Sequence, residues 1–300
     1  MNHSLLSSAT TAASTALVLA GAGAAGNAWQ IGVVAGLLEG GVDLTRADVV
    51  IGTSAGSTTA AQITSGVPLT ELLAAILTPS PAAQGSGRSR PAHLAGPASV
   101  DWSEQIIAAS TDAADWRRRM CAAARERDVP AHPNRWRDIV AARLARHEWP
   151  EQRVLITAVD ARTAEPVVFD RQSGIELVDA VAASTSNGFG GTYPIGDDRY
   201  INGAYRRSSN ADLATGCQRV VVLDPFAGRS RTPGEWGMDL TTQVAELRDG
   251  GSEVEIVHPD SRSGDVFTAN ALDPATRLPA ARGGYAQGRS LAPHLAGFWP

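Results

Sequence analysis

Two glycine-flanked turns stand close together near the start of this chain, and they restrict its fold more than any other feature. The first, Gly21-Ala22-Gly23-Ala24-Ala25-Gly26, follows the short apolar run Ala16 to Ala20 and precedes Trp29, Ile31, Val33, Val34, Leu37 and Leu38 at helical spacing. The second, Gly52-Thr53-Ser54-Ala55-Gly56, follows Asp48-Val49-Val50-Ile51 and opens a helical pattern through about Thr64. A strand, a tight turn and a helix, met twice in succession, predict parallel strands joined by helical crossovers. The expected class is α/β, with a largely parallel central sheet flanked by helices.

The rest of the chain extends that pattern. Arg153 to Val159, Val167-Val168-Phe169, Tyr200-Ile201, Val220 to Leu223 and Val254 to Val257 read as further strands. Helical spacing recurs over 102–127, 134–147, 175–185, 236–249 and 274–289. Residues 78–100 are rich in Pro, Gly, Ser and Ala, so the stretch of about 78–150 is expected to be a helical insertion or lid. With 300 residues, 43% of them hydrophobic, the chain can bury one large core. The expectation is a flexible tail over 1–15 and a single domain over 16–300.

Composition removes several function classes. A formal net charge of -5 argues against general attraction to polyanions, so no nucleic-acid partner is expected. Cys121 and Cys217 are too few for a disulfide framework and lack metal-ligand spacing, which fits a reducing cytoplasm and a protein with neither metal nor cofactor. The segment Thr10 to Gly26 has too few large apolar residues for a signal or membrane span.

The turns also carry the chemistry. Gly52-Thr53-Ser54-Ala55-Gly56 has the Gly-x-Ser-x-Gly form of a nucleophile elbow, in which flanking glycines let a strand bend sharply into a helix and expose the serine hydroxyl. Gly21 to Gly26 can present backbone N–H groups at a helix N-terminus to a phosphate or to a developing oxyanion. A dinucleotide loop, with Gly21, Gly23, Gly26 and an acidic Asp43 or Asp48, is the competing reading, but it leaves the second turn unexplained. An α/β-hydrolase triad joining Ser54 to His258 and Asp224 or Asp260 is a further alternative. It conflicts with the single strand that precedes the Ser54 strand, and neither His258 nor His294 has distinguishing context.

Taken in order, Leu17 to Gly26, then Gly52-Thr53-Ser54-Ala55-Gly56, then Tyr200-Ile201-Asn202-Gly203-Ala204 resemble the patatin-like phospholipase family over most of the chain. That resemblance implies a three-layer patatin-like fold and a serine acyl hydrolase or acyltransferase without a catalytic histidine. Carried over by position, Ser54 is the catalytic nucleophile, Gly21, Ala22, Gly23 and Ala24 form the oxyanion loop, and Asn202 occupies the place of the dyad aspartate. Ser209-Asn210-Ala211-Asp212 also looks familial. The implied partner is an acyl-ester, lipid or small-molecule substrate, with room for transient contact with a membrane surface; oligomeric state is not legible.

Three departures stand out: Ala22 where a glycine is usual, Ser186-Asn187-Gly188 where the family tends to carry Ala-x-Pro, and the amide at 202. An amide oxygen accepts a hydrogen bond but is far too weakly basic to hold the serine proton, so acylation is expected to be slow. An inactivating substitution, a natural loss of hydrolysis and a change of reaction all remain open. The last would be a repurposed enzyme for cyclisation, dehydration or elimination on a specialised metabolite. A non-catalytic lipid- or acyl-binding pseudoenzyme is the remaining alternative. Asn202-Gly203 also has the form of a two-residue hairpin turn, and Asp197-Asp198 that of a solvated turn rather than a replacement base. Trp102, Trp116, Trp136 and Trp149 read as core aromatics, or as cover for an acyl pocket, and Arg117-Arg118-Arg119 as a solvated face.

Overall fold

Short runs of alternating apolar side chains build the sheet, and the alternation divides them between two cores. The computed structural model describes residues 15–78, 97–128, 134–268 and 271–300. Its strands are β1 (Thr15–Leu19), β2 (Val49–Gly52), β3 (Arg153–Asp160), β4 (Pro166–Phe169), β5 (Tyr193–Ile195), β6 (Asp198–Asn202), β7 (Arg219–Leu223) and β8 (Glu253–Val257). They form one sheet in the order β5-β6-β3-β2-β1-β7-β8, with β4 also on β3. The five strands β3, β2, β1, β7 and β8 are mutually parallel, while β4 and β6 pair antiparallel with β3, and β5 antiparallel with β6.

Leu17, Leu19, Val50, Val221 and Leu223 point into one core, and Ala16, Val18, Ile51, Val220 and Val222 into the other. The first core is covered by α1 (Gly23–Glu39), α2 (Ala55–Ile63), α7 (Leu177–Thr185) and α9 (Arg277–Leu295), with α9 lying along α1. The second is covered by α8 (Leu240–Asp249) and the short 3-10 turn Ala211–Ala214. Helices on both faces of a mostly parallel sheet make the three-layer arrangement that the family resemblance implies, with the parallel strands expected from the two turns. Between β2 and β3 lie α3 (Leu69–Leu77), α4 (Pro97–Ala108), α5 (Ala113–Arg125) and α6 (Asn134–Ala141).

Pairing register places the end of β6 against the end of β2. Ile156 of β3 pairs with Gly52 of β2 and with Phe169 of β4, so these two strands occupy opposite edges of β3. Ala158 pairs with Val167 of β4 and with Asn202 of β6, so β6 lies on the same edge as β2, just beyond it. A residue ending β6 must therefore come close to a residue following β2.

Several boundaries differ from the sequence reading. The first strand starts at Thr15, inside the stretch expected to be tail, because its hydroxyl and N–H both bond the Asp48 carboxylate (2.8 and 2.9 Å) and tie it to β2. The remainder of that tail, 1–14, and residues 79–96 of the Pro- and Gly-rich stretch lie outside the described residues. The helix expected over 102–127 is two helices, since Asp112 accepts from the Asp115 N–H at 2.7 Å and caps a fresh start. The last helix begins only at Arg277, after a 3-10 turn over Pro274–Thr276, and runs on to Leu295. Asn202-Gly203 is not a hairpin turn. Asn202 closes β6 and the chain passes into a 3-10 turn, Gly203–Tyr205, whereas the true hairpin joins β5 to β6 through Gly196, at φ 57°. The tertiary pairing of Asn202 with Ala158 overrides the local Asn-Gly preference.

Candidate active site

Backbone crowding explains the glycines around Ser54. A methyl at Gly52 would stand 2.6 Å from Ser57 Cα, and one at Gly56 would fall on the Leu19 carbonyl oxygen. Thr53 N–H donates to that same oxygen at 3.0 Å, so β2 turns into α2 with the chain pressed against the end of β1. Ser54 takes the strain, at φ 54° and ψ -122°, a left-handed backbone that costs a non-glycine residue about 1–3 kcal/mol. Its N–H is held by the buried Ser184 Oγ of α7 at 3.0 Å, and its carbonyl accepts from Ser57 N–H and Oγ (2.9 and 2.6 Å). The half-buried side chain is left outside the helix-capping role, at the mouth of the elbow.

The first turn lies directly over it. A methyl on Gly21 would stand 2.7 Å from Ser54 Cβ and 3.3 Å from Ser54 Oγ. Ala22 and Gly23 open α1, and the amides of its first turn have no carbonyl one turn back to bond. Among the described residues, Ala25 N–H is drawn away to Ala271 O at 2.9 Å, and Gly26 N–H returns to Ala22 O. Ala22, one of the three departures, has a φ of -165° and so does not need the left-handed freedom of glycine, and its methyl occupies space that Gly26 leaves open, since a Cβ on Gly26 would lie 2.6 Å from it.

Asn202 reaches the serine from β6. Its Nδ2 donates to Ser54 Oγ at 2.9 Å, and its Oδ1 accepts from Ala204 N–H, also at 2.9 Å. The second bond decides the orientation of the amide, because a backbone N–H must face the oxygen, which leaves only the NH₂ group for the serine. Ser54 Oγ is thus an acceptor in this pair. No carboxylate or imidazole bonds it among the described residues.

A buried polar net fixes that geometry. Asn210, left-handed at φ 56°, donates to Thr53 Oγ1 (2.9 Å), Thr157 Oγ1 (3.2 Å) and Gly203 O (3.1 Å), and its own oxygen accepts from Arg206 (2.8 Å). Gly203 is pressed so closely on β3 that a methyl there would fall on the Thr157 hydroxyl. Above it, Asn202 N–H donates to Ser186 O at 2.7 Å and the partly buried Tyr205 hydroxyl to Asn187 O at 2.6 Å. The Ser186-Asn187-Gly188 departure therefore supplies carbonyl acceptors that hold Asn202 and its turn. Ser184, Thr157 and Asn210 take part in the site, yet only Asn210 has a sequence signal; Ser184 and Thr157 sit in ordinary helix and strand patterns.

The rejected alternatives are placed too. Asp224 and His258 come together, with Nδ1 3.5 Å from the carboxylate, but at the ends of β7 and β8, where the buried Asp224 serves the turn by accepting from Phe226 and Gly228 N–H. Neither bonds Ser54. Asp48 is bound to Thr15, and Asp43 caps a 3-10 turn. Asp198 pairs with Arg162 at the far end of β6, away from Asn202, and Asp260 pairs with Arg262. Among the described residues there is no His, Cys, Asp or Glu cluster suited to a metal and no helix long and apolar enough to cross a membrane. Burial pushes the Cys121 thiol up to about 12, so it is no nucleophile at neutral pH.

The sequence model of the patatin-like phospholipase family matches residues 17–215, which include both turns and Asn202. No curated protein matches the chain. Similar solved structures include VipD from Legionella pneumophila, at 11% identity and TM-score 0.44, matched over 94% of this chain and 67% of that one. The type III effector protein ExoU is similar at 17% identity and TM-score 0.42, over 94% of this chain and 53% of that one. The chain thus spans about two thirds of the first protein and about half of the second.

Proposed function

The chain belongs to the patatin-like phospholipase family, and from that premise we propose that it is a serine acyl hydrolase or acyltransferase of lipid or other acyl substrates whose general base is disabled. In this reading Ser54 Oγ attacks the acyl carbonyl, and amides of the Gly21, Ala22, Gly23 and Ala24 loop receive the oxyanion. The acyl group then passes to water or to another nucleophile. One observation carries the proposal: the strained Ser54 faces Gly21 on one side and Asn202 on the other, with the Asn202 amide donating to Oγ at 2.9 Å.

The direction of that bond bears on the rate. A carboxylate at position 202 would keep the Ala204 N–H on one oxygen and offer the other to the serine proton. The amide offers a donor instead, so attack has to proceed without a base. Positioned general-base assistance is worth about 10²–10⁴ in rate, or roughly 3–5 kcal/mol. Asn202→Asp should therefore raise nitrophenyl-ester turnover and fluorophosphonate labelling by about 10²–10⁴, and adding Ser54→Ala should abolish both. An Asp variant that stays folded with no gain would count against the dyad assignment.

The donated N–H favours a second reading, since it would stabilise an alkoxide or enolate oxygen rather than accept a proton. A cyclase, dehydratase or eliminase of that kind loses its reaction on Asn202→Asp, the reverse of the first outcome. A soluble cytoplasmic protein making transient contact with its lipid substrate fits either reading.

A further inference from the structure

Most buried side-chain donors among the described residues find acceptors, and Arg117 is one of the few that do not. Of the three buried side-chain nitrogen or oxygen atoms without a hydrogen-bond partner among the described residues, two belong to neighbours on α5, Trp116 Nε1 and Arg117 Nε. Arg117 forms no ion pair and stacks on no ring among the described residues. Burial pulls its guanidinium below the usual arginine range, and the exposed Glu165 acts on it only at a distance. This side chain belongs to the stretch Arg117-Arg118-Arg119 that reads in sequence as a solvated face; Arg118 and Arg119 do lie there, paired with Asp115.

Arg117 lines a cleft of about 430 Å³ that shares no lining residue with the Ser54 elbow. Arg206 and Arg207 also line it, but both are spent. Arg206 grips Asp212 with both terminal nitrogens (2.9 and 2.6 Å) and Asn210 with one, and Arg207 grips Glu246 and Gly237 O. These two form a rigid wall. Glu235, exposed, and Glu246, neutralised by Arg207, also line it, so the cleft does not suit a polyanion. Ala113, Pro166, Trp236 and Met238 give it an apolar side, and Trp236 packs 6.3 Å from the ring of Trp116.

We propose that this cleft binds a small organic oxyanion, one carboxylate or phosphate on an apolar body, with Arg117 as its receptor and Trp236 as its apolar wall. The terminal nitrogens of Arg117 have no acceptor among the described residues and are the donors the cleft can offer, and a guanidinium matches carboxylate and phosphate oxygens by shape as well as charge. The volume falls within the usual range for small-molecule sites. The site is independent of acyl chemistry at Ser54.

Calorimetric titration of the full chain with phenyl phosphate, benzoate and inorganic phosphate tests it. Saturable binding of phenyl phosphate or benzoate is expected, weakened about tenfold or more by Arg117→Gln, weakened by Trp236→Ala, and unchanged by Ser54→Ala; the two aryl probes decide the headgroup. A melting curve checks each variant, and Trp236→Ala carries the test if Arg117→Gln does not fold. Absence of saturable binding by either aryl probe overturns the proposal, as does equal affinity in the Arg117 variant. Loss of binding in Ser54→Ala would move the ligand to the elbow and overturn it too. Inorganic phosphate binding as tightly as phenyl phosphate would remove the apolar wall and with it the proposed ligand class.

Discussion

At the end of β1 the left-handed backbone falls on Gly23, at φ 57°, whereas at the end of β2 it falls on Ser54, at φ 54°. The first turn adopts that conformation at no steric cost, and the second stores it in the residue proposed as the nucleophile. Their other glycines differ as sharply. Gly56 makes room for backbone, the Leu19 carbonyl, while Gly21 makes room for a side chain, that of Ser54. One glycine lets the two strands turn side by side; the other keeps the space beside the Ser54 hydroxyl open, where the proposed reaction would place an acyl carbonyl. Residues of one type, at neighbouring turns, thus separate into those the fold requires and those the proposed chemistry would require.

The contrast can be broken at four positions. Gly56→Ala puts a methyl into a carbonyl oxygen that cannot move without unpairing β1, so it should cost about 3 kcal/mol or more, or prevent folding, as read by a denaturant melt. Gly21→Ala, made in the Asn202→Asp background, should keep a native-like melt and lower ester turnover about a hundredfold, because the methyl displaces Ser54. A larger stability loss at Gly21 than at Gly56 would erase the distinction. Asn210→Ala removes the donor that holds Thr53, Thr157 and Gly203 together and puts alanine in a left-handed backbone; a loss of about 2 kcal/mol is expected in the same melt. The smallest effect separates two inert variants: Ser54→Gly should be more stable than Ser54→Ala by about 1 kcal/mol, because both lose the Asn202 bond and only glycine releases the strain. Equal stabilities would mean that Ser54 is not strained in solution.

Both turns, the class of sheet and the neighbourhood of Ser54 were legible because glycine spacing and apolar runs are local signals. Asn202 was legible only through resemblance; taken alone, Asn202-Gly203 suggested a hairpin, and its place beside Ser54 depends on a pairing with Ala158 more than forty residues earlier in the chain. The orientation of its amide depends on Ala204 N–H, which no pattern announces. Ser184 and Arg117 were invisible for the same reason. A helix residue next to a threonine and the first of three arginines have ordinary neighbours in sequence, and their meaning comes from what the fold sets opposite them or fails to supply.

The crowding of Gly203 against Thr157 also sets how the protein ages. An Asn-Gly pair loses ammonia when the glycine nitrogen swings round to attack the side-chain carbonyl, which requires a mobile backbone. Here that glycine is buried, its carbonyl is bonded to Asn210, and the amide oxygen of Asn202 is engaged by Ala204. Deamidation at this position is therefore blocked in the native state and open in the unfolded one. The succinimide opens to isoaspartate and aspartate, so the deamidated fraction of a stored sample is a clock for past unfolding, and its aspartate part is the one that the proposed dyad reading would make active after refolding.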